Sequence, residues 1–338
     1  MVVSLTANVP NYNHGRFLAR AILALQSQDP APSEILIIDD ASTDDSVSVI
    51  QRLAASCSSI RFLRNECNLG TVPSQNRGIS ESRSKYIYLA AADDVVYPGF
   101  FSKALAMLEK YPEAAFACGE CEITNEFGTV LAVRPPARPT QKAAYLAPSV
   151  VPKLLRRIDN WGITGSAILR RDVVLSAGSM DSRLASFADG FLLRKLALRH
   201  GFCFIPSIVA QWMIRSEGYS RSIAADPRKS LELLDVACQK IAEDMDFPDW
   251  YPDLFRRRLR FNISYIATYS DPPNREILNK IAVQGLLDRL IIDTSLSFRR
   301  WGRLLTAVWL AMRMRPFSAI ALAQTALARR VKARYRGN

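Results

Sequence analysis

The first 110 residues alternate strand-like runs with helix-like segments, and this alternation limits the possible folds more than any other feature of the sequence. Runs rich in β-branched and aromatic residues are separated by segments whose apolar side chains recur at helical spacing. The strand-like runs cover residues 2–9, 33–39, 59–63 and 85–91. Such β-α-β repetition predicts a mostly parallel sheet with helices on both faces and a ligand site beyond the carboxyl ends of its strands.

The sequence pattern changes twice after this region. Residues 113–217 are richer in strands and contain a Pro-rich stretch, "RPPARPT" (134–140), which predicts a surface connection. Beyond residue 225 the apolar spacing predicts helices only. We therefore expect two domains, with residues 1–220 forming an α/β domain and residues 221–338 forming a helical C-terminal region.

Cysteine usage and the N-terminal sequence predict a cytoplasmic protein. The six cysteines follow no disulfide-framework spacing, and the N-terminus lacks a basic segment followed by a long apolar run. Cys118 and Cys121 form a C-x-x-C pair, but no second pair at zinc-ligand spacing accompanies them. We therefore expect both to be ordinary strand residues.

The net charge of +12 is concentrated in the C-terminal tail. No acidic residue follows Asp293. Ten basic residues do: Arg299, Arg300, Arg303, Arg313, Arg315, Arg329, Arg330, Lys332, Arg334 and Arg336. The rest of the chain holds 34 basic and 32 acidic residues, a net charge of +2, so the region before the tail is nearly neutral.

One segment of this tail has the pattern of an amphipathic helix. Six apolar side chains share one face and three arginines lie opposite: Phe298, Trp301, Leu305, Val308, Trp309 and Met312, against Arg299, Arg303 and Arg313. The apolar runs are too short to span a bilayer, which needs ~20 residues, so the pattern predicts a helix on an anionic membrane surface. A helix packed on the catalytic domain or on a dimer partner is the alternative. Nucleic acid binding is not expected, because no recognised nucleic-acid fold accompanies the charge, and nothing in the sequence indicates an oligomeric state.

Two adjacent carboxylates, Asp93 and Asp94, follow the strand-like run 85–91. Neighbouring carboxylates repel each other unless a cation or hydrogen-bond donors lie between them. Mg²⁺ and Mn²⁺ are bound by one or two carboxylates together with phosphate oxygens, so the pair suits a metal that bridges to a nucleotide diphosphate. A surface turn, in which the aspartates bond to the local backbone, is the alternative.

Five motifs occur in a distinctive order: "PNYN", "DDASTDDS", "NECNLGTVPSQNRGI", "AADD" and "FADGFLLRKLALRHG". This order resembles that of the family 2 inverting glycosyltransferases over about residues 2–220. The resemblance implies the GT-A nucleotide-diphospho-sugar transferase fold, an α/β fold with a mostly parallel sheet and flanking helices. It also implies a metal-dependent, inverting, hexosyltransferase-like reaction, and it does not extend to the helical C-terminal region.

The resemblance assigns a nucleotide site to the strand ends. Tyr12 of "PNYN" would contact a uracil or thymine base, aided by the backbone near Pro10, and Asp40 would accept a hydrogen bond from that base. These roles suit a flat aromatic ring and a carboxylate. Asp94, the last residue of a D-x-D element written "ADD", would bind Mg²⁺ or Mn²⁺, and Asp93 would contact the ribose or the sugar.

The resemblance assigns the reaction to Asp189 of "FADG". This carboxylate would take the proton of the acceptor hydroxyl as that hydroxyl attacks the anomeric carbon from the opposite face, which inverts the configuration. A helix N-cap is a compatible alternative for Asp189. Trp161, Gly165 and Ser166 fall where the family lines the acceptor cavity, although core packing is an equal alternative for Trp161.

Three positions depart from the family pattern. Gln75 stands where relatives commonly have the arginine of "ARN", and Ala188 stands where a glutamate often precedes the base. Arg215 stands in place of a histidine in a "YRIHG" segment. An arginine cannot bind a metal, so Arg215 would either clamp the diphosphate or form a solvent-exposed salt bridge.

These expectations define two functional hypotheses. The first is transfer of a sugar from a UDP- or dTDP-sugar to a hydroxyl of a glycan or lipid-linked acceptor, in cell-surface polysaccharide assembly on the inner face of the cell membrane. The second is a catalytically decayed sugar-nucleotide-binding or scaffold protein of the same fold at the membrane. Retention of Tyr12, Asp40, Asp94 and Asp189 favours the enzyme.

Overall fold

The computed structural model describes residues 4–159, 161–214, 226–316 and 318–336, without the side chains at positions 227, 228, 299, 300 and 330–336. The chain divides into two compact units: Met1–Arg215 together with Ala323–Asn338, and Ser216–Leu322. The predicted domain boundary at residues 220 and 221 lies outside the described residues. The prediction placed the last residues of the chain in the second domain, whereas here they group with the first unit.

The strands of the first unit form one mixed sheet. Ten strands are present among the described residues: β1 (Leu5–Asn11), β2 (Glu34–Asp39), β3 (Ile60–Arg64), β4 (Tyr86–Leu89), β5 (Val95–Val96), β6 (Phe116–Asn125), β7 (Val130–Arg134), β8 (Ala144–Leu146), β9 (Ala167–Arg170) and β10 (Phe202–Ile214). Their order is β3-β2-β1-β4-β9-β6-β10-β5, with β7 beside β6 and β8 beside β10. β1 pairs in parallel with β2 and β4, whereas β9 runs antiparallel to β4 and β6. The predicted mostly parallel arrangement is confirmed, with β9 as an antiparallel strand inside it.

Helices pack on this sheet through apolar stripes. They are α1 (Gly15–Gln26), α2 (Ser46–Ser56), α3 (Thr71–Glu81), α4 (Phe100–Lys110), α5 (Val151–Arg157), α6 (Arg171–Ser176) and α7 (Ala188–His200). α1 buries Leu18, Ile22 and Leu25, which recur at helical spacing. β2 is apolar along most of its length, as expected for a parallel strand with both faces covered, and it buries every residue from 35 to 39. This core fixes the strand ends that carry the site.

The described part of the second unit is helical, as predicted. It contains α8 (Pro227–Glu243), α9 (Tyr251–Tyr269), α10 (Leu286–Leu296) and α11 (Arg299–Met314), with a short helical turn at Arg275–Ile277 that continues into a π-helical turn at Leu278–Ala282. α12 (Ala319–Arg336) follows. Within the described ranges, no helix combines the length and the hydropathy that a bilayer crossing requires.

Two arginines enclose a buried glutamate where α12 packs on the sheet. Glu120 of β6 accepts hydrogen bonds from Arg138 (Nε to Oε1, 2.9 Å) and from Arg329 of α12 (Nη2 to Oε1, 2.6 Å). The backbone N–H of Arg138 donates to Thr325 Oγ1 (2.8 Å), and Arg329 also donates to the carbonyl oxygen of Pro135 (2.7 Å). We call Glu120, Arg138, Thr325 and Arg329 the C-terminal clamp.

The clamp explains why the Pro-rich stretch is not a surface connection. Pro135, Ala137 and Arg138 are buried. The prediction took the Pro-rich composition as a sign of a surface connection and was wrong here, because the guanidinium of Arg138 is paired with a carboxylate inside the protein. The side chains of this pair are 3% and 1% exposed.

The structure also changes the picture of the basic tail. Three of its ten cations have acidic partners among the described residues: Arg303 with Asp271, Arg313 with Asp288 and Arg329 with Glu120. Fewer of the tail's cations are therefore available to an external anion than its sequence implies.

Glu120→Gln is expected to lower the free energy of unfolding by ~3 kcal/mol, because removing one partner of a buried ion pair leaves the other charge uncompensated. Urea unfolding followed by circular dichroism measures the change. The matched control is Lys85→Met, which removes an exposed ion pair with Glu109 and should change stability by less than ~1 kcal/mol. Equal unfolding midpoints for wild type and Glu120→Gln would contradict a stabilising clamp.

Candidate active site

The parallel register brings three polar segments to the same edge of the sheet. Asn11, the last residue of β1, is in register with Asp39, the last residue of β2, and β4 pairs with β1 on its other side. Tyr12 follows β1 with 41% of its surface exposed, and Pro10 is buried in the strand just before it. An aromatic ring next to a strand end is accessible there to a flat ligand.

Asp39 and Asp40 are both buried, but they bond to different parts of the protein. Asp39 accepts hydrogen bonds from Asn11 Nδ2 (2.9 Å) and from Ser42 N (3.0 Å), so it shapes its own loop. Asp40 accepts bonds from Leu69 N to Oδ1 (2.9 Å) and from Gly70 N to Oδ2 (2.8 Å). The loop before α3 therefore fixes the orientation of the Asp40 carboxylate.

Gln75 is a structural residue at the position where it departs from the family pattern. Its side chain donates to the carbonyl oxygen of Ala90 (2.8 Å) and accepts from Asn8 Nδ2 (2.7 Å). It thereby joins β1, α3 and the segment that leads to Asp93. The buried amide thus supports the strand end, and it would be costly to remove without a replacement hydrogen bond.

Asp94 lies where three parts of the fold meet. Its Oδ1 accepts a hydrogen bond from Met213 N of β10 (3.0 Å), and a Cβ atom at Gly165 would lie 3.5 Å from its Oδ2. Tyr88 of β4 donates to the carbonyl oxygen of Gly165 (2.6 Å), which fixes this turn against the strand. Asp93 is held by its backbone, because its carbonyl oxygen accepts from Arg20 Nη2 (3.0 Å).

Asp189 approaches the same turn from the first turn of α7. Its carboxylate accepts a hydrogen bond from Gly190 N (2.6 Å). α7 contacts the 3₁₀ turn Thr164–Ser166, and the backbone N–H of Thr164 contributes to lowering the pKa of Asp189. Burial raises the pKa of Asp189 above its ordinary value, although these hydrogen bonds and the charge of Arg194 oppose the rise. The structure therefore brings Asp94 and Asp189 together at one turn.

The predicted acceptor residues have different surroundings. Trp161 is 1% exposed and stacks on Phe202, with ring centroids 5.2 Å apart. This burial corrects the assignment to the acceptor cavity and supports the core-packing alternative. Ser166 is also buried, and its hydroxyl donates to the carbonyl oxygen of Ile163 (3.1 Å), whereas Gly165 remains beside Asp94.

Three further sequence assignments have simple outcomes. Cys118 and Cys121 are buried strand residues of β6, as expected. Arg215 lies outside the described residues. Ala188 is buried at the start of α7. Across the part of the chain that the structure describes, no group of three or more His, Cys, Asp and Glu side chains is placed to hold a metal.

Sequence analysis missed Arg134, the last residue of β7. It lies opposite Cys121 of β6 and is half-buried on the side of the sheet that carries the site. No motif marks this residue. The signal that would have found it is its strand register, which depends on pairing between β6 and β7.

The fold defines the class of the protein. The chain superposes on the crystal structure of S. aureus TarS 1-349 in complex with UDP-GlcNAc with a TM-score of 0.62, at 15% identity, covering 93% of this chain and 92% of that one. It also superposes on the mannosyltransferase PcManGT from Pyrobaculum calidifontis in complex with GDP-Man and Mn²⁺, with a TM-score of 0.58 at 17% identity, covering 96% and 86%. The chain has the GT-A fold with a helical C-terminal region.

Sequence comparison then gives the family. Residues 6–128 match the family model of glycosyl transferase family 2. The chain is 34% identical over 103 residues to the uncharacterized glycosyltransferase YibD of Escherichia coli, covering 30% of each chain. It is 31% identical over 124 residues to the GalNAc(5)-diNAcBac-PP-undecaprenol beta-1,3-glucosyltransferase of Campylobacter jejuni, covering 36% of this chain and 39% of that one. These matches span less than two thirds of either relative. The matched segment belongs to glycosyl transferase family 2, as the motif order predicted.

Trp161→Ala is expected to lower the free energy of unfolding by ~3–5 kcal/mol, because it leaves a cavity in the core. The matched control is Trp301→Ala, since Trp301 is 74% exposed and its removal should cost far less. Thermal and urea unfolding of both variants measure the difference. A Trp161→Ala protein with wild-type stability but weakened acceptor use would restore the acceptor assignment.

Proposed function

We propose that the chain is a metal-dependent inverting glycosyltransferase that moves a sugar from a UDP- or dTDP-sugar to a hydroxyl of a glycan or lipid-linked acceptor. The observation that carries the proposal is the meeting of Asp94 and Asp189 at the turn Thr164–Ser166. The strand ends that carry Tyr12 and Asp40 lie on the same edge of the sheet. This arrangement supports a nucleotide site and a catalytic base near one edge of the sheet.

The donor class follows from the chemistry of Tyr12 and Asp40. The exposed ring of Tyr12 offers a stacking surface for a base, and Asp40 presents a carboxylate of fixed orientation to an N–H donor. Uracil and thymine have both a flat face and an N3–H group. The similar fold of TarS, solved with UDP-GlcNAc and with UDP, supports a uridine donor.

The carboxylates near Gly165 fit a divalent cation. Asp94 and Asp93 are hard oxygen donors next to the proposed diphosphate site, and Mg²⁺ or Mn²⁺ needs only one or two such carboxylates when phosphate oxygens complete its shell. The PcManGT structure with GDP-Man and Mn²⁺ supports this choice. Asp94 would hold the ion, which when bound neutralises charge on the diphosphate leaving group.

Asp189 is suited to act as the general base. Because burial raises its pKa, its carboxylate accepts a proton more readily than an ordinary aspartate. It would take the proton of the acceptor hydroxyl while that oxygen attacks the anomeric carbon opposite the leaving group. A single displacement of this kind inverts the configuration.

A catalytically decayed sugar-nucleotide-binding scaffold is the second candidate. It rests on Gln75, Ala188 and Arg215, the three departures from the family pattern. Gln75 supports the strand end before Asp93, so its presence does not mark a collapsed site. Donor turnover by the wild-type protein separates the two candidates.

Asp94→Asn is expected to abolish Mn²⁺-dependent stabilisation by UDP, whereas Asp189→Asn should keep that stabilisation and lose ~10²–10⁴-fold in donor turnover, the usual contribution of a general base. Thermal melts with UDP, dTDP and GDP, and a UDP-release assay, measure both effects.

In the wild type the base must be deprotonated, so turnover falls as pH drops through the raised pKa of Asp189. Stabilisation by GDP alone would overturn the donor class, and undiminished turnover in Asp189→Asn would remove that residue from the reaction.

We also propose that the enzyme works in polysaccharide assembly, in the cytoplasm and peripherally on the inner face of the cell membrane. On α11 and just before it, Phe298, Trp301, Leu305 and Met312 are exposed. Trp309 leaves this apolar face, because its indole N–H donates to Asp288 Oδ1 (3.1 Å). An exposed apolar face beside arginines is typical of helices that lie in a membrane interface. The undecaprenol-linked acceptor named for the Campylobacter jejuni relative supports a lipid-linked substrate.

The full chain is expected to sediment with vesicles that contain anionic lipid, and Trp301→Glu should reduce that binding. Each basic residue near such a surface contributes on the order of 1 kcal/mol, so added salt should weaken the binding without removing the apolar part. The matched control is Phe127→Glu, which places the same charge at an exposed aromatic residue of the first unit. The membrane assignment would be contradicted if Trp301→Glu and Phe127→Glu sediment equally with the vesicles. It would also be contradicted if the wild type stays in the supernatant at every salt concentration.

A further inference from the structure

Arg134 shares a face of the sheet with the proposed active site. It is paired directly with Cys121 across the antiparallel strands β6 and β7, and directly opposed side chains in such a pair point to the same face. Cys121 is in register with Ala210 of β10, and Ala210 is in register with Val96, two residues after Asp94. Burial and, to a lesser extent, the charge of Asp94 raise the pKa of Cys121, in agreement with this placement. Arg134 therefore lies on the side where the carboxylates meet.

Asp189 is within electrostatic reach of this arginine. Burial lowers the pKa of the Arg134 guanidinium, and the negative charge of Asp189 opposes that shift. Asp189 is the proposed base, so the space near Arg134 belongs to the acceptor side of the site.

Arg134 also differs from the buried arginines Arg138 and Arg170 in having no partner for its side chain. Arg138 pairs with Glu120, and Arg170 donates to the carbonyl oxygen of Ala114 (2.8 Å). Among the described residues, the side chain of Arg134 makes neither a hydrogen bond nor an ion pair. A half-buried guanidinium is costly without an anion or acceptor oxygens. The site thus supplies a guanidinium that lies within electrostatic reach of Asp189 but has no hydrogen-bond or ion-pair partner among the described residues.

The C-terminal clamp fixes the backbone that carries this cation. Along a strand, successive side chains point to opposite faces, so Glu120 faces away from Cys121. Arg329 binds Glu120 and also the carbonyl oxygen of Pro135, the residue after Arg134. α12 therefore supports β7 through the face opposite the site.

We propose that Arg134 is a specificity-determining residue that binds an anionic group, phosphate or carboxylate, of the acceptor beside the hydroxyl that Asp189 deprotonates. This inference rests on the proposed function. A guanidinium can bind either anion through two parallel N–H bonds, whereas a lysine ammonium binds as a point charge. The acceptor class is accordingly a glycan that carries a phosphate or carboxylate near the receiving hydroxyl.

The test uses the full chain with UDP and Mn²⁺, and titrates three acceptor probes: glycerol 3-phosphate, glucuronate and uncharged glycerol. Calorimetry is expected to detect binding of one or both anions and not of glycerol, and the preferred anion separates a phosphate-bearing from a uronic-acid-type acceptor. Arg134→Gln should weaken anion binding about tenfold or more, with partial retention in Arg134→Lys. The affinity for UDP should stay within about twofold of wild type. Arg52→Gln, an exposed arginine on α2, is the control and should change neither affinity.

Two results would overturn the assignment of Arg134. Anion binding that is absent in the wild type, or unchanged in Arg134→Gln, removes the proposed acceptor contact. A parallel loss of UDP affinity in Arg134→Gln would instead place the arginine at the donor diphosphate. If the wild type does not bind UDP, the proposed function is contradicted. The anion titrations are then repeated without UDP, and the assignment of Arg134 still requires weaker anion binding in Arg134→Gln than in the wild type.

Discussion

The parallel pairing of β1 with both β2 and β4 is the constraint on which the site depends. Because carboxyl ends of parallel strands meet at one edge, the segments that carry Tyr12, Asp40 and Asp94 converge although they are far apart in sequence. The hydrogen bond from Met213 to Asp94 then joins this half of the sheet to β10. A change of register in β4 or β10 would separate the carboxylate from the turn at Gly165.

The sequence predicted those parts of the site whose signals are local. Apolar spacing and turn residues predicted the strands and helices. The strand-end motifs singled out Tyr12, Asp40 and Asp94 as candidates, and the family resemblance singled out Asp189. Packing between residues far apart in sequence could not be predicted in this way. For Trp161 the sequence left a ligand-facing role and core packing as equal alternatives, and the stacking on Phe202, from a strand much later in the chain, favours core packing.

The sequence carried the least information about which charged side chains are paired. The tail appeared as a run of uncompensated cations, yet Arg313 and Arg329 have buried carboxylate partners. Conversely, Arg134 carried no motif and was passed over within a Pro-rich stretch. In both cases the partner, or its absence, depends on tertiary contacts, because a guanidinium is stabilised by the groups around it and not by its neighbours in sequence.

The C-terminal clamp makes the first unit discontinuous, since Ser216–Leu322 separates its strands from the helix that covers Glu120. During synthesis the strands leave the ribosome well before that helix exists, so Glu120 can pair with Arg138 but not with Arg329 while the intervening helices are made. Closing so long a loop also costs entropy that grows only slowly with its length. The contact between Glu120 and Arg329 can therefore form only after the residues of the second unit have been synthesised.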